Sequence, residues 1–236
     1  MNDVERLKTH YNEKFLKENF WHDFNEYPFY LGVSQYKMLI KILKSCGVNT
    51  PQKMANLSII DIGSGNGNVI LSMIKLGAFA KNITAIELLK ERYEVLIAKI
   101  PGVKAYNINY LDFSPIQKQQ ITILFAVLTS ILDEKIRESI LAKAYNEMDV
   151  GGIMIIYDYY TSSTKQMSNY YKSISYNDIK SILSNPGAEY KIYSNVYLGE
   201  RIGKGLCMLG LGLLIPLLEK LKVFNSNYSF IVIKKT

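Results

Sequence analysis

The segment Ile59-Ile60-Asp61-Ile62-Gly63-Ser64-Gly65-Asn66-Gly67-Asn68-Val69 constrains this chain more than any other. A β-branched run suits a buried strand, and three glycines two apart suit a tight turn that opens directly into a helix. With no side chains in the way, a ligand can lie against bare backbone beside a helix N-terminus, where unpaired N–H groups point outward. A nucleotide-like cofactor is implied. The next strand, read over 82–87, ends in Glu87, 20 residues beyond Gly67. An acid at the tip of a second strand can accept two hydrogen bonds from a ribose diol.

Glycine spacing separates the cofactors. The dinucleotide fingerprint G-x-G-x-x-G needs its third glycine at position 68, which is Asn68. Glycines at 63, 65 and 67 preceded by Asp61 resemble instead the D-x-G-x-G-x-G loop of class I S-adenosylmethionine (SAM)-dependent methyltransferases. From Ser58 onward the chain resembles small bacterial members of that family often encoded among surface-polysaccharide genes. The resemblance rests on the loop, on Ala85-Ile86-Glu87-Leu88-Leu89-Lys90-Glu91-Arg92, on Thr129-Ser130-Ile131-Leu132-Asp133, and on Gly151-Gly152-Ile153-Met154-Ile155-Ile156-Tyr157-Asp158. An apolar Leu/Pro-rich helix before a last strand ending in Lys234-Lys235 completes it.

The resemblance implies SAM as cofactor, held by Asp61, Gly63, Ser64, Gly65, Asn66, Gly67, Glu87 and Leu88, with Asn109, Tyr110 and Phe125 at the next strand tips. Asn109 offers an amide donor and acceptor to an adenine edge, and Tyr110 a ring to pack on it. An ordinary loop cap is the other reading of Asn109. Two departures stand out: Gln119-Gln120 where family members carry an acid, and Ile108-Asn109 where they carry Gly-Asp.

Elsewhere the pattern alternates strand and helix. Strands are read at 59–62, 83–87, 103–108, 121–125, 153–157, 190–197 and 228–233, the Gly151-Gly152 turn feeding the fifth. Helices are read after Gly67, through Tyr93 and Leu96, from a cap at Asp133, and from Ser175; before the first strand, one follows a cap at Ser34 and stops at Gly47. Such alternation demands a doubly wound α/β sheet with ligands at the carboxyl ends of its strands. The resemblance adds that the sheet is seven-stranded and mostly parallel with its last strand antiparallel, and that N-terminal helices cover the site.

At 236 residues and 48% hydrophobic, the chain suits one domain over 1–236, with a helical cap at 1–50, a SAM-binding core at 58–160 and a C-terminal part at 161–236. Two distant cysteines form neither a disulfide framework nor a metal knuckle, and the charged start has no signal core, so a cytoplasmic setting is expected and no metal. The net charge of +7 comes from 28 scattered basic residues, which argues against nucleic acid while leaving attraction to anionic lipid or a phosphorylated substrate open. The apolar stretch 205–218 is too short to span a bilayer and is broken by Gly210, Gly212 and Pro216. It reads as a buried lid or packing helix, or alternatively as a surface meeting the inner face of a membrane.

Methyl transfer from a sulfonium is an in-line displacement, so positioning dominates and no catalytic triad is needed. If the acceptor is a sugar hydroxyl, a general base within reach helps. Asp158, just past the fifth strand, and His22, on the N-terminal segment, are the candidates, with His10 behind them; Tyr11, Phe20 and Trp21 are candidate pocket walls. The expected partner is a small molecule, a carbohydrate or activated surface-glycan precursor, phosphorylated or nucleotide-linked. A lipid-like or quinone-type acceptor, a nicotinamide oxidoreductase and a non-catalytic SAM-binding module are the alternatives.

Overall fold

The computed structural model of the protein describes residues 5–11, 26–194, 197–222 and 224–236. Strand β1 (Ile59–Ile62) lies between β2 (Ile83–Ile86) and β4 (Gln119–Phe125), parallel to both, and all four of its residues are buried. A strand covered on both faces needs no polar alternation, which is why its sequence is a continuous apolar run broken only by Asp61. Beyond β2, β3 (Lys104–Tyr106) forms one edge; beyond β4 come β5 (Met148–Tyr159), β7 (Tyr228–Lys235) and, at the other edge, β6 (Ala188–Tyr193). The order is β3-β2-β1-β4-β5-β7-β6, with β7 antiparallel to both neighbours. Chain order reverses between β1 and β4, and that reversal opens a crevice at the carboxyl ends of the strands.

Helices cover both faces. Helix α1 (Glu26–Ser45) contributes Leu39 and Ile42 to one core, where α3 (Asn68–Lys75) and α4 (Lys90–Lys99) add Ile70 and Leu96 against Ile59, Ile83 and Ile123; the short α2 (Pro51–Ala55) adds Met54. On the opposite face α5 (Glu134–Asn146) and α6 (Tyr176–Leu183) pack Leu141 and Ile179 against Ile60, Leu124, Ile156 and Ile231. Consecutive residues Ile59 and Ile60 thus serve opposite cores, as the strand period of two requires. Two of the three expected caps are present: Asp133 accepts the Lys135 amide, and Ser175 with Asp178 forms a capping box at the start of α6.

Four expectations need correction. Helix α1 begins at Glu26, so Ser34 is not its cap; the Ser34 hydroxyl instead donates to Glu219 Oε2 at 2.7 Å. Gly151-Gly152 lies within β5, where the pairing slips from Gln119 with Met148 to Ile121 with Ile153, a bulge that Gly151 accommodates at φ 79°. Strand β6 ends at Tyr193. The apolar stretch is two helices, α7 (Glu200–Met208) and α8 (Ile215–Leu221), separated at Gly210, whose φ is 71°.

Candidate active site

The glycine loop leaves β1 and turns across the end of β2. The amides of Gly63 and Ser64 both donate to the Ile86 carbonyl, at 2.8 and 3.0 Å, and the Ser64 hydroxyl donates to Asp61 O at 2.7 Å. Gly63 and Gly67 have φ of 72° and 80°, and a Cβ on either would come within 2.6 Å of Val127 or Ile100 respectively. Both positions favour glycine for backbone conformation, and at Gly63 the Val127 side chain also leaves no room for a Cβ. Glu87 stands at the tip of β2, buried, with Oε2 accepting the Gly65 amide at 2.6 Å and Oε1 the Leu89 amide at 2.9 Å. Each carboxylate oxygen keeps further acceptor capacity for a diol.

Asp61 is the most telling side chain. It is 1% exposed and neither carboxylate oxygen has a partner. Burial, then repulsion from Glu87, pushes its pKa up to about 7, opposed by Arg92. Asn66 Oδ1 beside it in the loop is also buried without a partner. Native proteins rarely leave such groups unsatisfied, and a missing polar ligand is the simplest resolution.

Residues 5–11 are helical and close over this edge. Buried Arg6 donates to Ser130 O at 2.7 Å and to Tyr170 O at 2.9 Å. His10 Nε2 lies 2.6 Å from the Tyr171 hydroxyl, and the Arg92 guanidinium sits 4.5 Å from the centre of the Tyr11 ring. The same guanidinium fills the space that a side chain at Gly65 would occupy. Tyr11, read as a pocket wall, is thus at the site; Arg92 closes the motif Ala85–Arg92, whereas nothing in the sequence around Arg6 signals its place here. His22, Phe20 and Trp21 lie outside the described residues.

Other positions divide. Leu88 is half-buried, its carbonyl accepting from Asn107 Nδ2 at 3.0 Å, and the half-buried Phe125 packs on Tyr157 with ring centres 4.3 Å apart. Asn109 takes the loop-cap reading, its side chain accepting the Leu111 amide at 3.1 Å. Tyr110 is corrected: its ring is buried in the core beneath α5 and its hydroxyl donates to Glu147 Oε2 at 2.5 Å, so it is no surface for adenine. Asp158 is corrected as a free base as well. It is 0% exposed, and Oδ2 accepts the amides of Leu128 (2.8 Å) and Thr129 (3.2 Å) while Oδ1 accepts the Thr129 hydroxyl (2.5 Å). Burial raises its pKa to about 6 against those hydrogen bonds. A carboxylate so engaged fixes the turn at 128–130, on which Arg6 also rests.

On the far side of β5 a polar cleft of about 370 Å³ opens between Tyr160, Thr161, Ser162, Lys165, Ser194 and Asn227. These residues follow the ends of β5 and β6 or precede β7, so the cleft shares the carboxyl edge with the loop. Its lining spans the ends of β5, β7 and β6, two to four strand spacings from β1, about 10–19 Å. Among the described residues no group of three or more His, Cys, Asp or Glu side chains is placed to hold a metal ion.

Solved structures share this architecture. Magnesium protoporphyrin IX methyltransferase from Synechocystis, determined with bound SAM, superposes with a TM-score of 0.63 over 100% of this chain and 98% of its own, at 12% identity. The chain has a SAM-dependent methyltransferase fold. SAM-dependent methyltransferases from Archaeoglobus fulgidus (TM-score 0.55, 14% identity, 85% and 94% of the two chains) and Clostridium acetobutylicum (0.55, 11%, 88% and 92%) share it. No family model matches the chain, and no curated protein does.

Proposed function

We propose that the chain is a SAM-dependent methyltransferase that methylates an oxygen of a polar acceptor, a carbohydrate or activated glycan precursor. The buried, unpartnered carboxylate of Asp61, set against a loop of positive-φ glycines, carries the cofactor reading. When bound, SAM supplies a methyl group on a cationic sulfur. The residues that would hold it are Asp61, Asn66 and Arg92 at its amino-acid end and Glu87 at its ribose, with the Gly63–Gly67 backbone between. A cationic amino group would relieve the orphaned Asp61, and the positive-φ glycines let the loop backbone turn back over the end of β1 beside it.

The acceptor reading rests on the hydroxyl-rich cleft and on Lys165 at its rim, which suits a polyhydroxylated molecule bearing an anionic group. Asp158 acts as a positioning residue through the 128–130 turn. His10, held against Tyr171 on the closing segment, is the side chain we assign to take the acceptor proton. Isothermal calorimetry with S-adenosylhomocysteine tests the cofactor; absence of heat overturns the whole reading. Tritiated-methyl transfer to a panel of nucleotide sugars, polyprenols and quinone precursors tests the acceptor, and incorporation into the apolar members alone overturns the carbohydrate assignment.

A further inference from the structure

The two C-terminal helices turn apolar side chains in both directions. Inward, Ile215 is buried with Tyr27 and Leu198, and Leu206 and Leu218 pack against that cluster. Ring contacts make this docking close: Cβ atoms on Gly203 and Gly212 would collide with the rings of Tyr27 and Tyr30. Outward, Met208, Leu209 and Leu213 are 88%, 74% and 81% exposed, and Leu217, Leu221 and Phe224 are also exposed. Leu214, Leu217 and Leu221 follow one another at helical spacing, so α8 carries an apolar stripe on its solvent side. The connection Met208-Leu209-Gly210-Leu211-Gly212-Leu213-Leu214 contains no polar side chain. Surface connections are ordinarily polar, and a soluble monomer rarely exposes so many adjacent large apolar groups.

The exposed charges around this tip are predominantly basic. Arg201, Lys204, Lys220 and Lys222 are exposed on the same two helices. Of the acids there, Glu200 is paired with Lys204 at 2.9 Å, Glu219 turns inward to Ser34, and Glu26 at the start of α1 is engaged by the Cys207 thiol. No described helix is long and apolar enough to cross a membrane. We infer that the tip formed by 208–222 and Phe224 is a docking surface for an anionic lipid bilayer, its leucines entering the headgroup boundary while the flanking cations meet lipid phosphates. Shallow insertion of an amphipathic helical tip needs both elements: apolar contact for depth and basic residues for selection of anionic lipid. A second copy of the chain would use the apolar face but leave the basic rim facing itself.

The experiment is flotation with vesicles of phosphatidylcholine alone and of phosphatidylcholine mixed with phosphatidylglycerol, alongside light scattering for mass. The full chain is expected to float with the mixed vesicles at least about tenfold more than with the neutral ones. The double variant Leu213→Ser, Leu217→Ser should lose flotation, and Lys220→Glu, Lys222→Glu should lose the preference for anionic lipid. Both sites are exposed, so thermal melting is expected to match wild type. Wild-type protein that stays with the dense fraction, or serine variants that float equally well, overturns the inference. A doubled mass that the serine variant abolishes, without flotation, assigns the face to self-association and overturns it too.

Discussion

The carboxylate of Glu87 reaches from the tip of β2 to the amide of Gly65 at 2.6 Å, tying the turn after β1 to the neighbouring strand. One side chain therefore both shapes the loop and presents acceptor capacity to a ribose. Replacing Glu87 by Gln puts an amide group where two backbone N–H donors converge, leaving one of them unpaired. Affinity for S-adenosylhomocysteine should fall about 10- to 100-fold, roughly 1.4–2.8 kcal/mol, by calorimetry. An unchanged dissociation constant would show that the pairing is dispensable.

Arg137 is fully buried on α5 and donates to the carbonyls of Ile131 (2.6 Å), Lys172 (2.7 Å) and Ser173 (3.0 Å), while pairing with Asp178 at 3.0 Å. It clamps the segment after β5 to the turn after β4, the two pieces on which the closing segment rests. Arg137→Met leaves three carbonyls without this donor and removes the cation from Asp178 Oδ1, whose Oδ2 keeps its bonds from Ser175 and Thr164. The expected cost is about 3–5 kcal/mol in urea unfolding, and a loss under about 1 kcal/mol would mean that the surroundings relax to fill the gap.

These two residues mark what the sequence reveals. Strand β1, the loop and Glu87 are legible because their chemistry is local: a β-branched run, glycines two apart, an acid at a fixed interval. The doubly wound order follows from alternation, since crossover handedness leaves few topologies. Arg137 looks like a solvated residue on an unremarkable helix, and its burial depends on a loop about 35 residues away in sequence that no periodicity connects to it. Tyr110 and Asp158 fail for the same reason. Both sit at the ligand edge by register, yet partners from distant segments, Glu147 and the 128–129 amides, draw them inward. The break in 205–218 was visible as glycines, while the exposure of its outer face needed the packing of α1 to be seen.

Asp61 gives a pH signature. Its folded pKa of about 7 lies above the ordinary 3.8, so the folded chain holds the proton more tightly than the unfolded one. The associated stability is fully present below pH about 4 and declines as pH rises to about 7, levelling beyond. Relative to Asp61→Asn, wild type should lose stability across that interval in thermal melts. A cationic amino group docking beside Asp61 expels the proton, so S-adenosylhomocysteine affinity should rise through the same range, with proton release visible as buffer-dependent heats. A wild type that tracks the Asn variant at every pH would contradict the burial of an unpartnered carboxylate.

Arg92 stacks on Tyr11 and occupies the space over Gly65, with its Nε buried and without a partner. A guanidinium poised there is matched to a carboxylate, and its fork geometry favours two parallel hydrogen bonds. The amino-acid end of SAM carries such a group; methylthioadenosine has the same nucleoside and lacks it. Arg92→Ala is therefore expected to weaken S-adenosylhomocysteine about 10- to 100-fold while leaving methylthioadenosine within about twofold. Equal losses for both ligands would instead mean that Arg92 orders the loop through Tyr11, and Tyr11→Leu would then reproduce the loss. Tighter binding of both would make the stacked pair a plug that the cofactor displaces, because removing a side chain from the space over Gly65 then lowers the cost of entry.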